Sequence, residues 1–183
     1  MDKLKSQTPI LGISSIVGEF WSWAYSDILS NSNRGKSAEF LVGNILGVLD
    51  TPRIEWDAYD FMYQNNKIEV KSSAYLQSWH QTKLSTIRFD IAPKIAWDAT
   101  TNTYSTVSER VSDCYIFCLF ISLEKSQANI LDTEQWRFYI VNTKQLDEQY
   151  PQQKSIGLSN IKKLSSEFRF NEVKITVDRI LNL

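Results

Sequence analysis

Lys67–Ser73 reads KIEVKSS. As a strand with alternating side chains it sets Glu69, Lys71 and Ser73 on one face and Ile68 and Val70 on the other. A glutamate and a lysine two residues apart are commonplace on a solvated edge, so the meaning of this segment depends on its neighbours. Just before it stand EWDAYDFMY (Glu55–Tyr63) and the turn QNNK. Asn tolerates the left-handed backbone that a two-residue hairpin turn requires. The sequence therefore predicts strands over Glu55–Tyr63 and Lys67–Tyr75, joined through Asn65 and Asn66. In that register Gln64 faces Lys67, Met62 faces Glu69 and Asp60 faces Lys71. Asp60, Met62, Glu69, Lys71 and Ser73 then share one face. Tyr59, Phe61, Tyr63, Ile68 and Val70 form the core face. Asp57 falls on the core side by parity, although a three-residue turn would reverse its place with that of Asp60.

The polar face gathers chemistry. Asp60 and Glu69 become diagonal cross-strand neighbours, about 7–8 Å apart at the backbone and able to converge on one ion. Paired carboxylates suit a hard cation such as Mg²⁺, with Mn²⁺ able to substitute. Such an ion polarises a phosphoryl oxygen and lowers the pKa of a bound water. Lys71 beside it can orient that water and offset charge developing on a phosphate. Upstream, Arg34–Leu49 carries Ala38, Leu41, Val42, Ile45, Leu46 and Leu49 at helical spacing. Asn33 is the expected cap, and the DTPR segment at Asp50–Arg53 is the expected stop. Glu39 lies at the margin of that apolar stripe and supplies a third carboxylate.

NRGKSAEFLVGNIL, then EWDAYDF, then KIEVKSS resembles the PD-(D/E)XK nuclease superfamily in order as well as residue type. The resemblance covers Asn33 to Gln77 and departs at Tyr59, where a proline is usual. It implies a restriction-endonuclease-like α/β (α+β) fold, with a central mixed sheet flanked by helices. It also implies Mg²⁺-dependent phosphodiester hydrolysis. Glu39 matches the helix glutamate, Asp60 the strand aspartate, and Glu69 and Lys71 the final pair; the backbone carbonyl of Val70 is expected to join the metal ligands. Double-stranded DNA is the expected substrate, and a homodimer would let both strands be cut. Two rival readings are a Holliday-junction or other branched-DNA resolvase of the same fold, and a non-catalytic nucleic-acid-binding module that kept the scaffold.

The rest of the chain sets bounds. Its 183 residues form one expected domain, with residues 1–32 a helical extension containing an aromatic-rich helix over Ile16–Leu29. A net charge of −1 announces no global basic field. Between Lys67 and Lys94, however, five basic residues (Lys67, Lys71, Lys83, Arg88, Lys94) face two acidic ones. Arg34, Lys67, Ser73, Gln77 and Lys83 are the expected nucleic-acid contacts, and Trp79 the aromatic placed to stack on a base. Trp21, Trp23 and Trp136 are expected in the core. Cys114 and Cys118 lie four apart in the apolar run DCYIFCLFI, too far along a strand for a disulfide. Both are expected as core thiols, in a cytoplasmic protein with no membrane span. His80 is the single histidine, which argues against a histidine triad or cluster. Further strands are expected over Thr86–Ile91, Asp113–Leu123 and Trp136–Val141, with a short helix at Lys144–Gln149. Trp97–Ser112 is polar and ambiguous. A second Glu-x-Lys, Glu172-Val173-Lys174 in FRFNEVKITV, also reads as strand, but no aspartate strand folds onto it.

Overall fold

The hairpin exists, one residue displaced in its turn. The computed structural model describes residues 2–55, 57–98 and 103–183. In it β1 (Phe61–Tyr63) pairs antiparallel with β2 (Asn66–Ala74), with Phe61 opposite Ile68, Met62 opposite Lys67 and Tyr63 opposite Asn66. The turn is Gln64 and Asn65, both left-handed at φ 48° and 63°, not Asn65 and Asn66. Moving the turn by one residue shifts the pairing by two, so parity survives and Glu69 and Lys71 keep their face. The expected strand over Glu55–Tyr63 keeps only its last three residues; Trp56, within it, lies outside the described residues.

β2 is the second strand of a four-stranded mixed sheet. β6 (Cys114–Phe120) runs parallel to β2, and β7 (Trp136–Asn142) runs antiparallel to β6, in the order β1-β2-β6-β7. All seven residues of β6 are buried, as befits a strand covered on both faces. On one face Ile68, Val70, Ala74, Ile116, Phe138 and Ile140 pack against α2 (Asn31–Leu46) and α5 (Val173–Leu181). On the other, Tyr115, Phe117, Tyr139 and Val141 pack against Phe89, Ile91, Leu146, Ile156 and Ile161. Those five come from β3 (Arg88–Asp90) and the residue after it, α3 (Thr143–Gln149), β8 (Ser155–Gly157) and α4 (Leu158–Leu164). A separate two-stranded antiparallel sheet of β4 (Lys94–Asp98) and β5 (Thr103–Glu109) lies in the stretch left ambiguous by sequence; residues 99–102 lie outside the described residues. Cys114 and Cys118 are free and fully buried, and burial pushes the Cys114 thiol up to about 12. Among the described residues no helix is long and apolar enough to cross a membrane.

Several elements differ from expectation for local reasons. α2 begins three residues early because Ser30, not Asn33, caps it; the Ser30 hydroxyl accepts from the Asn33 N–H at 3.3 Å. It ends at Gly47, whose φ of 73° closes the last turn, so DTPR follows the stop instead of making it. FRFNEVKITV is not a strand. A short 3-10 turn over Phe170–Glu172 leads into α5. There Val173, Thr176 and Val177 are buried and Ile180 packs beside them, a helical spacing that competes with the alternation seen over fewer residues. In the N-terminal part, α1 covers only Val17–Tyr25. Trp23, expected in the core, is 83% exposed, whereas Trp136 is fully buried.

Gly43 is where helix and hairpin meet. A Cβ there would lie 2.4 Å from Leu49 Cδ2 and 2.9 Å from Phe61 Cζ. Alanine is the better helix former by about 1 kcal/mol, yet overpacking costs about 1–3 kcal/mol. Gly43→Ala is therefore expected to lower stability by about 1–2 kcal/mol in urea unfolding, by pushing Phe61 and the adjacent Asp60 off α2. A gain in stability would show that the hairpin does not depend on this contact.

Candidate active site

Glu69 and Lys71 sit on one face of β2, flanked there by Tyr115 and Phe117 of β6, their register partners. Their environment is only partly open to water, with side-chain exposures of 12% and 20%, and the Lys71 ammonium bonds Glu69 Oε1. Ser112 Oγ adds a longer contact of 3.4 Å to Glu69 Oε2. Burial works against the Lys71 charge, but Glu69, followed by Asp60 and Asp90, outweighs it and raises the pKa.

Asp60 completes the group because β1 is short. Its N–H donates to the Ile68 carbonyl at 3.0 Å. Its Oδ2 accepts from the Val70 N–H at 2.7 Å, a donor that a longer β1 would have paired within the ladder. Asp60 thus brackets Glu69 from the neighbouring chain segment, bonded to the residues on either side of it instead of placed diagonally. Burial, then the charges of Glu69 and Glu39, push its pKa up to about 7, against the smaller opposing pull of the Val70 N–H and Lys71. Asp57 is turned locally, accepting from the Ala58 N–H at 2.8 Å. Tyr59, expected on the core face, is only partly buried and lies under the Lys67 ammonium, 5.5 Å from its ring centre.

Glu39 approaches from α2 and is held by Arg53. The guanidinium Nε bonds Oε2 and Nη2 bonds Oε1 at 3.0 Å, a fork-to-carboxylate pairing. Glu39, Arg53 and Asp60 line an open pocket of about 460 Å³ together with Lys36, Phe40 and Met62. Glu69 and Lys71 line a separate narrow crevice with Asp90, Lys94 and Tyr115. Asp60 is therefore the carboxylate coupled to both sides. Among the described residues no group of three or more His, Cys, Asp or Glu side chains is gathered to hold a metal ion as it stands. The donor chemistry nonetheless fits a hard cation: all oxygen, crowded, and with one carboxyl pushed toward its neutral form by burial and then by like charge.

The expected nucleic-acid contacts are placed unevenly. Lys67 lies at the start of β2, its N–H on Asp113 Oδ2 at 2.8 Å. Lys83 is exposed beyond the far end of that strand, near His80 and Lys125, and Ser73 is buried on the same face as Lys71. Arg34 and Gln77 correct their expectation. Both are buried, and the Arg34 Nη1 donates to Gln77 Oε1 and to the Leu29 carbonyl at 3.4 Å each, with Nη2 on Asn31 Oδ1 at 2.6 Å. They join α2 to the end of β2 instead of facing solvent. Sequence reading missed Arg53 and Asp90. Arg53 carries no periodic signal in its loop, and Asp90 is brought near Lys71 only by tertiary packing of β3.

A mixed α/β sheet whose open strand edge presents two carboxylates and a lysine, with a third carboxylate arriving from a flanking helix, is a site suited to phosphoryl chemistry. The family model for bacteriophage T4 endonuclease IV matches residues 22–149, and the chain belongs to this family, a family of nucleases acting on nucleic acid. The matched span contains Glu39, Arg53, Asp60, Glu69 and Lys71. No curated protein and no solved structure matches the chain.

Proposed function

We propose that the protein is a metal-dependent endodeoxyribonuclease with a PD-(D/E)XK, restriction-endonuclease-like core. The observation that carries this reading is Asp60 inserted at the open edge of β2, its carboxylate on the Val70 N–H and its pKa raised by burial and then by Glu69 and Glu39. Asp60, Glu69 and Glu39 are the residues that would hold Mg²⁺ or Mn²⁺, with the Val70 carbonyl as a further oxygen ligand. Bound there, the ion would supply Lewis-acid polarisation of a phosphoryl oxygen and a water of lowered pKa.

The chain's own groups do the rest. Lys71, kept charged by its acidic neighbours, orients the attacking water and offsets negative charge gathering on the phosphate. Tyr115 and Phe117, beside Glu69 and Lys71 on the neighbouring strand, limit bulk water on that flank and strengthen the electrostatics there. Lys67 and Lys83 hold backbone phosphates on either side of the strand, so affinity falls as salt rises.

Cleavage of supercoiled, linear, single-stranded and four-way-junction DNA, with Mg²⁺ or Mn²⁺ and with EDTA as the blank, tests this. The expected result is metal-dependent cutting of DNA. Preferential cutting of the junction would identify a resolvase; DNA binding without cutting under any metal would identify a binding module and overturn the proposal. Duplex cleavage on both strands calls for two sites, and a homodimer would appear as twice the 21.2 kDa chain mass in sedimentation.

A further inference from the structure

We infer that Arg53 is a substrate-operated latch: it holds Glu39 while nucleic acid is absent and passes to a substrate phosphate on binding, freeing Glu39 for the metal. This rests on the proposed function and adds a coupling between substrate and ion that the ligand set alone does not contain.

The geometry makes the exchange chemically even. The guanidinium grips both oxygens of Glu39, and the same planar fork matches two oxygens of a phosphate. Access favours the cation as first contact. Glu39 is 14% exposed behind Arg53, which is 38% exposed, so an incoming anion meets the guanidinium before the carboxylate. Arg53 lies outside helix and strand, in the loop between Gly47 and β1; Glu39 is fixed within α2. The movable partner is therefore the cation. Lys36 shares the same pocket and extends the positive rim along which a phosphate backbone would run.

Charge balance gives the exchange a direction. With Asp60 ionised, as a metal ligand must be, Glu39, Asp60 and Glu69 against Arg53 and Lys71 leave one negative charge. A divalent ion added with Arg53 still in place would invert that sign. With Arg53 transferred to a phosphate, the same set is neutral. Metal and nucleic acid should thus bind better together than apart, and by linkage each should improve the other's affinity by the same factor.

The test measures binding, not turnover, on the full chain. Arg53→Gln is expected to tighten Mn²⁺ binding about tenfold without nucleic acid, read from free Mn²⁺ by electron paramagnetic resonance. In EDTA the same variant should bind a short duplex oligodeoxynucleotide more weakly, with a log–log salt slope smaller by about one. Arg53→Lys, which keeps the charge but not the fork, should fall between wild type and Arg53→Gln in both assays. A purely structural arginine would leave Mn²⁺ affinity unchanged or weaken it, and either result overturns the latch. Glu69→Gln separates the two ideas. If that change abolishes Mn²⁺ binding while Arg53→Gln leaves it at the wild-type level, the latch alone fails. If neither wild type nor Arg53→Gln binds Mn²⁺, the metal reading fails and takes the latch with it.

Discussion

Glu69→Gln is expected to lower metal-dependent cleavage by about 10³-fold or more, and to destabilise the metal-free protein as well. The activity loss follows from removing a charged oxygen ligand and the partner that positions Lys71. The stability loss has a different cause. Lys71 is one-fifth exposed and Glu69 is its ion-pair partner, so the neutral amide leaves an ammonium largely desolvated beside apolar rings. Breaking a part-buried pair from one side costs about 1–3 kcal/mol. Single-turnover cleavage and urea unfolding in EDTA measure the two effects separately. Cleavage within tenfold of wild type would remove Glu69 from the active site. Unchanged stability would mean that Lys71 finds another partner, Asp60 or Asp90, whose charges also act on the lysine.

The site was legible where it depended on strand parity and illegible where it depended on loops. A period of two survives any even error in register, which is why a misplaced turn still left Glu69 and Lys71 on the expected face, whereas Asp60, beyond the end of β1, reaches β2 through the Val70 N–H. The same insensitivity hid the closeness of Asp60 to Glu69, because parity reports faces and not distances. Glu39 was readable from the margin of an apolar stripe, but the arginine on it was not, since nothing in DTPR specifies where a loop side chain will turn. Arg34 and Gln77 look like surface anion binders by residue type; burial of both and their mutual hydrogen bond are products of how α2 packs on the end of β2. The second Glu-x-Lys failed as a strand because its apolar residues also satisfy a helix. Once α5 docks on α2 and β7, Lys174 bonds Asp178 one helical turn on and the Tyr63 hydroxyl.

Asp60→Asn should cut activity as severely as Glu69→Gln but move stability the other way. Asp60 titrates near 7 in the folded protein against about 3.8 for the free side chain. A folded-state pKa raised above the unfolded one means that the native state holds the proton more tightly. Between about pH 4 and 7 the unfolded chain has lost that proton and the native chain has not, so stability falls as pH rises through this window and levels off above it. The full difference is of order 2–4 kcal/mol at pH 8. Asparagine keeps an oxygen for the Val70 N–H and carries no charge to repel Glu69 and Glu39. The variant should therefore be more stable than wild type by about that amount at pH 8 in EDTA, with the gain vanishing toward pH 4. Mn²⁺ should reverse the order, since an ion held by Asp60 stabilises only the wild type. Thermal unfolding of both proteins from pH 4 to 8, with EDTA and with Mn²⁺, reads all three effects. A variant less stable than wild type at pH 8 in EDTA would mean that Asp60 is satisfied by its hydrogen bond rather than strained by its neighbours, and the case for a cation between the carboxylates would lose its electrostatic basis.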